Sequence, residues 1–177
     1  MSLHLIEVAP ATADQDAVRQ VLGTVSSAVS EGSAELIESQ VTADHGRVFV
    51  IVEAPSAEGL ADKVRSALGE AATEVTGPDP VRLVGAELED IKRLKGSVDY
   101  LVEWDIPAEI TMEKYLARKK ANSPKYAEVP EVSFLRTYVR EDTAKCLCFY
   151  NAPDEDAVER ARQAVGTPFD RLFKLDI

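Results

Sequence analysis

The chain has 177 residues, a formal net charge of −11 and two cysteines, with 45% hydrophobic and 29% charged residues. That length allows one large domain or two small ones, and the composition is that of an ordinary globular protein. The charge argues against nucleic-acid and membrane partners, because both kinds of surface are anionic and bind Lys and Arg. No run of 18 apolar residues and no secretory signal occur, so we expect a cytoplasmic location. One basic run, residues 118–120, is interpreted as a solvated helix face.

The first half begins with a strand, a helix and a hairpin. Residues 3–8 are apolar and stop before Pro10, so they predict a strand. A capping-box pattern at residues 12–15 predicts the start of a helix, because its Thr and Gln side chains can satisfy the first free N–H groups. Two strand-like runs, residues 35–42 and 47–53, flank a turn that contains glycine and therefore predict a hairpin.

The first half ends with a second helix, a loop and a short strand. Pro55 predicts the start of the helix, because proline is favoured in the first helical turn. Residues 76–80 contain one glycine and two prolines and predict a loop. Residues 81–84 predict the strand.

The second half has the same order of elements. Residues 99–104 predict a strand, and Thr111 and Asp154 are predicted to cap two helices. Between those helices, residues 132–139 and 145–151 predict a hairpin. A short strand closes the chain.

The two halves align as an internal repeat. Glu7 in the first strand of one half matches Glu103 in the first strand of the other, 96 residues later. A βαββαβ order in each half predicts an α+β fold of tandem ferredoxin-like repeats. Each repeat leaves one sheet face bare, so we expect the two sheets to face each other, as in a dimeric α/β barrel built within one chain. The predicted bounds are residues 1–88 for the first repeat, 89–97 for a linker and 98–177 for the second repeat.

The second half resembles a known protein family. The strand YLVEWDI, the hairpin SFLRTYVREDTAKCLCFYNAP and the acidic start of the next helix are similar to the domain of unknown function family 4242. The resemblance covers roughly residues 99–175 and is carried mainly by the strand of Glu103 and by residues 148–153. Described members include a small nickel-binding protein with a ferredoxin-like fold that associates as dimers. The resemblance therefore implies that fold and leaves a monomer or a homodimer open.

The resemblance also implies nickel, for which the sequence offers few ligands. His4 and His45 are the two histidines, and both lie in the first half, whereas nickel prefers nitrogen and oxygen donors. Cys146 and Cys148 share one face of a strand, which suits reduced thiols better than a disulfide. They could form a soft-metal pair, a reactive thiol near Arg136 or a pair of inert buried thiols. We predict no metal site, and the sequence identifies no cofactor.

Sorting each strand into two faces predicts a ligand site between the two sheets. A carboxylate under packed helices is costly, so Glu103 and its repeat mate Glu7 are placed on the face away from the helices. Leu147 and Phe149 are placed on the helix side, and the residues alternating with them on the opposite side. The predicted ligand-binding residues are Glu7, Glu103, Arg136, Tyr138, Cys148 and Tyr150. The alternative is that these groups pair with each other, for example Glu103 with Arg136, and only close the interface.

Three functions remain open at this stage. The favoured one is a non-enzymatic module that binds or senses a small-molecule ligand. The second is a cofactor-free enzyme of the monooxygenase or isomerase type, with Glu103 or Tyr138 as the proton-transfer group. The third is a nickel-binding protein or a structural adaptor.

Overall fold

The structure is a computed structural model that describes residues 2–93 and 96–176. Two residues of the predicted linker, 94 and 95, lie outside the described residues. The chain forms two compact units. The first extends to Val81 and includes Asp176, and the second extends from Arg82 to Leu175.

The first unit has the βαββαβ order. Its elements are β1 (Ser2–Pro10), α1 (Gln15–Glu31), β2 (Glu35–Val41), β3 (Val48–Ala54), α2 (Leu60–Leu68) and β4 (Ala72–Val84), the last three residues of β4 belonging to the second unit. Antiparallel pairing gives the strand order β2-β3-β1-β4. Apolar residues on one face of α1 and α2, such as Val21 and Val64, pack against alternate residues of β1 and β3, such as Ile6 and Val50.

Both helices of this unit start later than predicted. Asp14 caps α1, because its Oδ1 accepts the backbone N–H three residues on at 2.8 Å. α2 begins at Leu60 and not near Pro55. The Ser56 hydroxyl accepts the N–H two residues on, and Gly59 has a φ of 77°, so a turn separates β3 from α2.

The loop predicted at residues 76–80 is wrong, because these residues belong to β4. They pair with β1, where Asp79 lies opposite Leu5, and the pairing register shifts nearby. Gly77 has a φ of 92°, and a Cβ there would collide with the backbone oxygen of Leu5. Pairing along the sheet thus overrides a local composition that is typical of loops.

The second unit repeats this order after a short helix. Its elements are α3 (Leu88–Arg93), β5 (Tyr100–Asp105), α4 (Met112–Asn122), β6 (Ser133–Arg140), β7 (Lys145–Asn151), α5 (Glu155–Ala164) and β8 (Arg171–Lys174). A 3-10 segment, Ser123–Glu128, follows α4. The predicted caps are confirmed, since Thr111 accepts a backbone N–H at 3.2 Å and Asp154 accepts one at 2.8 Å.

The two units share strand order and register. The strand order is β6-β7-β5-β8 in the second unit, which matches β2-β3-β1-β4 in the first. Both hairpins shift register at the equivalent place, after Leu36 and after Phe134. These observations confirm the predicted α+β class, and both units have the βαββαβ order, whereas a face-to-face arrangement of their sheets stays a prediction. In the described parts of the chain, no helix has the length and hydropathy needed to cross a membrane.

Candidate functional site

The side chains of strand β7 lie on the opposite faces of the sheet from those predicted. Tyr100, Val102 and Trp104 of β5 pack in the core with α4 and α5, as predicted. Cys148 lies opposite Val102 in the β5–β7 pairing and therefore shares its face. The residues of β7 that face the helices are Cys146, Cys148 and Tyr150. Their predicted placement beside Glu103 is wrong.

The predicted site residues of the second unit thus divide between two faces of its sheet. Glu103, Arg136 and Tyr138 lie on the face away from the helices, where the Arg136 guanidinium and the Tyr138 ring both contact Phe149. Cys148 and Tyr150 lie on the helix face. The error arises because β7 is buried on both faces, so alternation along it does not distinguish them.

The predicted carboxylates are both ion-paired. Glu103 is 1% exposed, with Lys145 Nζ at 2.8 Å from Oε2 and Arg171 Nε at 3.4 Å from Oε1. In the first unit, Glu7 pairs with Arg47. These contacts agree with the alternative that the carboxylates have a structural role.

A cavity lined by charged, polar and aromatic side chains lies on the helix face of the second unit, in contact with both cysteines. Its volume is about 20 Å³, which is room for roughly one water molecule. We call it the thiol pocket. The lining residues used below are Trp104, Arg118, Lys119, Cys146, Cys148 and Arg162.

Arg162 on α5 is the central basic group of the thiol pocket. It is 2% exposed. Its Nη1 donates to the Tyr150 hydroxyl at 3.1 Å and lies 3.5 Å from Cys148 Sγ, and its Nη2 donates to the backbone oxygen of Pro168 at 2.6 Å. Its Nε is buried and has no hydrogen-bond partner among the described residues. A buried donor without a partner is costly, which points to a group that a ligand can satisfy.

The two cysteines differ in the electrostatic surroundings of their sulfur atoms. Thr137 Oγ1 donates to Cys148 Sγ at 3.1 Å. The pKa of Cys148 is held well below its usual value, first by a hydrogen bond from Cys146 and then by the positive charges of Lys119 and Arg162, against the opposing effect of burial. The pKa of Cys146 is raised well above its usual value by its hydrogen bond to Cys148 and by burial. These surroundings favour ionisation of Cys148 over ionisation of Cys146.

Tyr126 lines the cavity, and the Tyr150 hydroxyl contacts it. The hydroxyls of Tyr126 and Tyr150 lie 2.6 Å apart, and the Tyr126 ring stacks on Phe134 with centroids 5.3 Å apart. Burial raises the pKa of Tyr126 to about 12 and raises that of Tyr150 well above its usual value. Both hydroxyls therefore stay protonated at neutral pH and can donate hydrogen bonds.

Two residues of the basic run at 118–120 belong to this site. Arg118 donates to the backbone oxygen of Gly166 at 2.5 Å and lies over the Trp104 ring at 5.5 Å. Lys119 Nζ lies 4.4 Å from the centroid of Phe134. The prediction of a solvated face is thus wrong for these two residues, which are half-buried, and it holds for exposed Lys120.

Arg162 was not predicted as a site residue, although its position in the sequence of α5 indicates a buried charge. Arg162 lies four residues after Val158 and three before Val165, on the apolar stripe that packs α5 into the core. A charged residue on such a stripe predicts a buried, specifically paired group. The contact of Thr137 with Cys148 had no comparable signal, because it depends on the pairing of β6 with β7.

The residues present do not fit a nickel site. No group of three or more His, Cys, Asp or Glu side chains is placed to hold a metal within residues 2–93 and 96–176. His45 Nε2 lies 3.0 Å from Asp176, and burial lowers the pKa of His4 in the core of the first unit. The thiols of the second unit lie beside Arg162 and Lys119, which repel a metal cation.

Residues 100–175 match the family model described as nickel responsive protein SCO4226-like. They form a SCO4226-like domain. The match covers less than half of the chain and nearly the same residues as the resemblance to family 4242. The thiol pocket lies within the SCO4226-like domain, because all its lining residues fall in that range. No curated protein matches the sequence.

Solved structures resemble the chain over its whole length. The crystal structure of a putative monooxygenase from Lactobacillus acidophilus NCFM is 11% identical, with a TM-score of 0.55 over 99% of this chain and 94% of that one. That of the putative chlorite dismutase TA0507 is 13% identical, with a TM-score of 0.55 over 100% and 96%. At these identities, the similarity to these α+β barrel proteins shows a shared fold only. SCO4226 from Streptomyces coelicolor A3(2) is 15% identical over 44% of this chain and 95% of that one, with a TM-score of 0.38.

Proposed function

We propose that the protein is a small-molecule binding or sensing module whose ligand site is the thiol pocket of the SCO4226-like domain. One observation carries this proposal. Arg162 lines the cavity, is 2% exposed, and has a buried Nε without a partner among the described residues. Buried guanidinium groups are normally fully hydrogen-bonded, so this donor is a recognition group for a ligand.

The charge of the pocket selects the ligand. Arg118, Lys119 and Arg162 contribute three positive charges, and no Asp or Glu is among the described lining residues. The site is thus positive within a chain whose net charge is −11. A positive, narrow cavity favours a small molecule that carries negative charge or develops it on an electronegative atom.

The alternative functions predicted from the sequence have less support. The likeness to a putative monooxygenase is too distant to argue an activity. Glu103, one of the two proton-transfer groups considered, is buried in ion pairs with Lys145 and Arg171. An enzyme, a cleft between the sheets, a cytoplasmic location and a monomeric or homodimeric state all stay predictions.

Fluorescence of Trp104 tests the proposal, because it is the one tryptophan in the chain and lines the thiol pocket. Iodide and caesium ions quench tryptophan with opposite charge. We expect iodide to quench Trp104 in a saturable way and more strongly than caesium at equal ionic strength, although the net charge of the chain favours caesium. Lys119→Gln should weaken the iodide effect by about twofold or more, since it removes one of the pocket charges.

Lys120→Gln is the matched control. Lys120 is on the same helix, carries the same charge and is exposed outside the pocket, so its removal should leave iodide quenching nearly unchanged. Equal quenching by iodide and caesium, or equal losses in the two lysine variants, would contradict the proposed function.

A further inference from the structure

Three features of the thiol pocket favour a reactive cysteine: a hydrogen-bond donor, a cation and a cavity. The Cys148 sulfur receives a hydrogen bond from Thr137 at 3.1 Å, and Arg162 Nη1 lies 3.5 Å away. A second cysteine, Cys146, lies two residues along the same strand face. Hydrogen-bond donors and cations stabilise the nucleophilic form of a thiol, and a cavity gives a small reagent access to it.

We propose that Cys148 is a sensing thiol that is oxidised by hydrogen peroxide or another small hydroperoxide. This inference rests on the proposed function and names the ligand class of the same pocket. The Cys148 sulfur attacks one peroxide oxygen, so that a sulfur–oxygen bond forms while the oxygen–oxygen bond breaks. Thiolate and hydrogen peroxide give sulfenic acid and hydroxide, and the hydroxide takes a proton from solvent. The sulfur gives up two electrons, which reduce the peroxide.

The size of the cavity restricts the oxidant. The cavity volume is about 20 Å³ and Cys148 is 1% exposed. Hydrogen peroxide is close to water in size and can reach the sulfur, whereas aromatic or branched reagents are too large. The fold therefore makes this cysteine selective by size as well as reactive.

The charge of the pocket favours the same step. Negative charge develops on the departing oxygen, and the cations that act on the Cys148 sulfur are Arg162 and Lys119. Fixed positive charge in a cavity largely shielded from water stabilises such a leaving group. Oxidation also converts an anionic sulfur into a neutral sulfenic acid, so the charge facing Arg162 changes by one unit. That change is the signal a sensing module can transmit.

The experiment exposes the full chain to hydrogen peroxide and then unfolds it in urea that contains dimedone, which traps sulfenic acid. Unfolding ensures that dimedone can reach the sulfur. Peptide mass spectrometry locates the adduct. We expect the adduct on Cys148 in the wild type and in Cys146→Ser, and none in Cys148→Ser. An aromatic disulfide reagent should label the folded chain at least about tenfold more slowly than the unfolded chain.

The pH profile separates a thiolate from an ordinary buried thiol. The wild-type oxidation rate should rise much less than tenfold per pH unit between pH 6 and pH 8, because Thr137 and the cations beside Cys148 favour its ionised form. An unperturbed thiol would show about a tenfold rise for each pH unit. Thr137→Val has nearly the same shape and removes one donor, so it should slow oxidation at pH 6 and make the rate rise with pH.

Three results would overturn the inference: no Cys148 adduct in the folded chain, an adduct confined to Cys146, or a wild-type rate that rises about tenfold per pH unit. The wild-type measurements decide the matter even where a variant fails to fold. Lysine-dependent iodide quenching together with an unreactive Cys148 would refute this inference and leave the proposed function standing. Failure of both experiments would refute both.

Discussion

Glu103 is the residue to replace on the face of the sheet away from the helices, because its replacement tests whether its ion pairs stabilise the fold. Glu103→Gln keeps the shape of the side chain and removes the charge that Lys145 and Arg171 contact. We expect the free energy of unfolding to fall by about 1–3 kcal/mol, because the ammonium of Lys145, whose side chain is 15% exposed, loses the charge that it contacts. Urea unfolding of both proteins measures the difference.

Glu141→Gln is the comparison for an exposed ion pair. Glu141 pairs with Arg82 at 3.0 Å, and both side chains are more than two-fifths exposed, so the loss should stay below about 1 kcal/mol. An unchanged or increased stability in Glu103→Gln would mean that the carboxylate is kept at a cost to stability for function. That outcome would favour the enzyme alternative.

At the level of single residues, the sequence predicted which residues are buried better than it predicted which face of the sheet they lie on. The placement of Glu103 away from the helices follows from the cost of covering a carboxylate with apolar helices. The placement of Cys148 could not be derived in that way, because both faces of β7 are apolar and buried. Only its pairing with Val102 determines the face, and that contact joins strands distant in the chain.

Among the elements, helix α1 and strand β4 each contain a glycine that tests local geometry. Gly23 lies within α1, where a Cβ would have nothing within 4 Å, so Gly23→Ala should stabilise the fold by about 0.5–1 kcal/mol. Gly77→Ala should destabilise it by more than about 1–2 kcal/mol, because the positive φ and the collision with the Leu5 oxygen both oppose a side chain.

Gly59→Ala separates the two contributions at Gly77. Gly59 has a φ of 77° and nothing within 4 Å of the position that a methyl group would occupy, so only the backbone conformation opposes the substitution. Thermal unfolding should therefore rank the variants, from most to least stable, as Gly23→Ala, Gly59→Ala and Gly77→Ala. A Gly77→Ala protein as stable as Gly59→Ala would show that the strand relaxes around the added methyl group.

Element order was predictable, and element ends were less so. Alternating apolar patterns and capping side chains such as Thr111 and Asp154 gave the βαββαβ order in both halves. The delayed start of α2 depends on a turn formed by Ser56 and Gly59, which competes with the helix signal of Pro55. The extent of β4 depends on pairing with β1 and cannot be read from residues 76–80 alone.

For the whole molecule, we expect stability to fall steadily on acidification. Burial lowers the pKa of His4, so the unfolded state binds more protons than the folded state below a pH of about 6.5. Hydrogen bonds, from Thr42 to Asp44 and from Arg171 to Asp105, lower the pKa of these carboxyls. Their contribution is present above a pH of about 4 and is lost as the pH falls through the folded-state values.

Urea unfolding between pH 7 and pH 3 measures this dependence. The histidine and the two carboxyls all lower stability as the pH falls. The free energy of unfolding should therefore decrease from pH 7 to pH 3, with no maximum at the isoelectric point near 4.7. His4→Gln should flatten the upper part of the curve, between pH 7 and pH 5.5. A stability maximum near the isoelectric point would mean that repulsion within the chain, whose charge is −11 at neutral pH, outweighs these groups.

The repeat made the fold predictable at the scale of the whole chain, whereas the site was not. A matching Glu7 and Glu103 were enough to align two halves that have the same strand order. The thiol pocket has no counterpart in that alignment, because the first unit contains no cysteine. Its key group, Arg162, became interpretable only when packing brought α5 over Cys148.

Strand β2 lies at the end of the strand order of the first unit, and its register shifts between Leu36 and Glu38. Apart from the Val41 oxygen, which accepts the backbone N–H of Asp176 at 2.8 Å, a strand in that position offers a row of peptide groups that a neighbouring chain can extend into a growing fibril. The shift twists this row, and Glu35 and Glu38 add negative charge to it. The hairpin thus carries its own protection against amyloid-like stacking, independent of any ligand in the second unit.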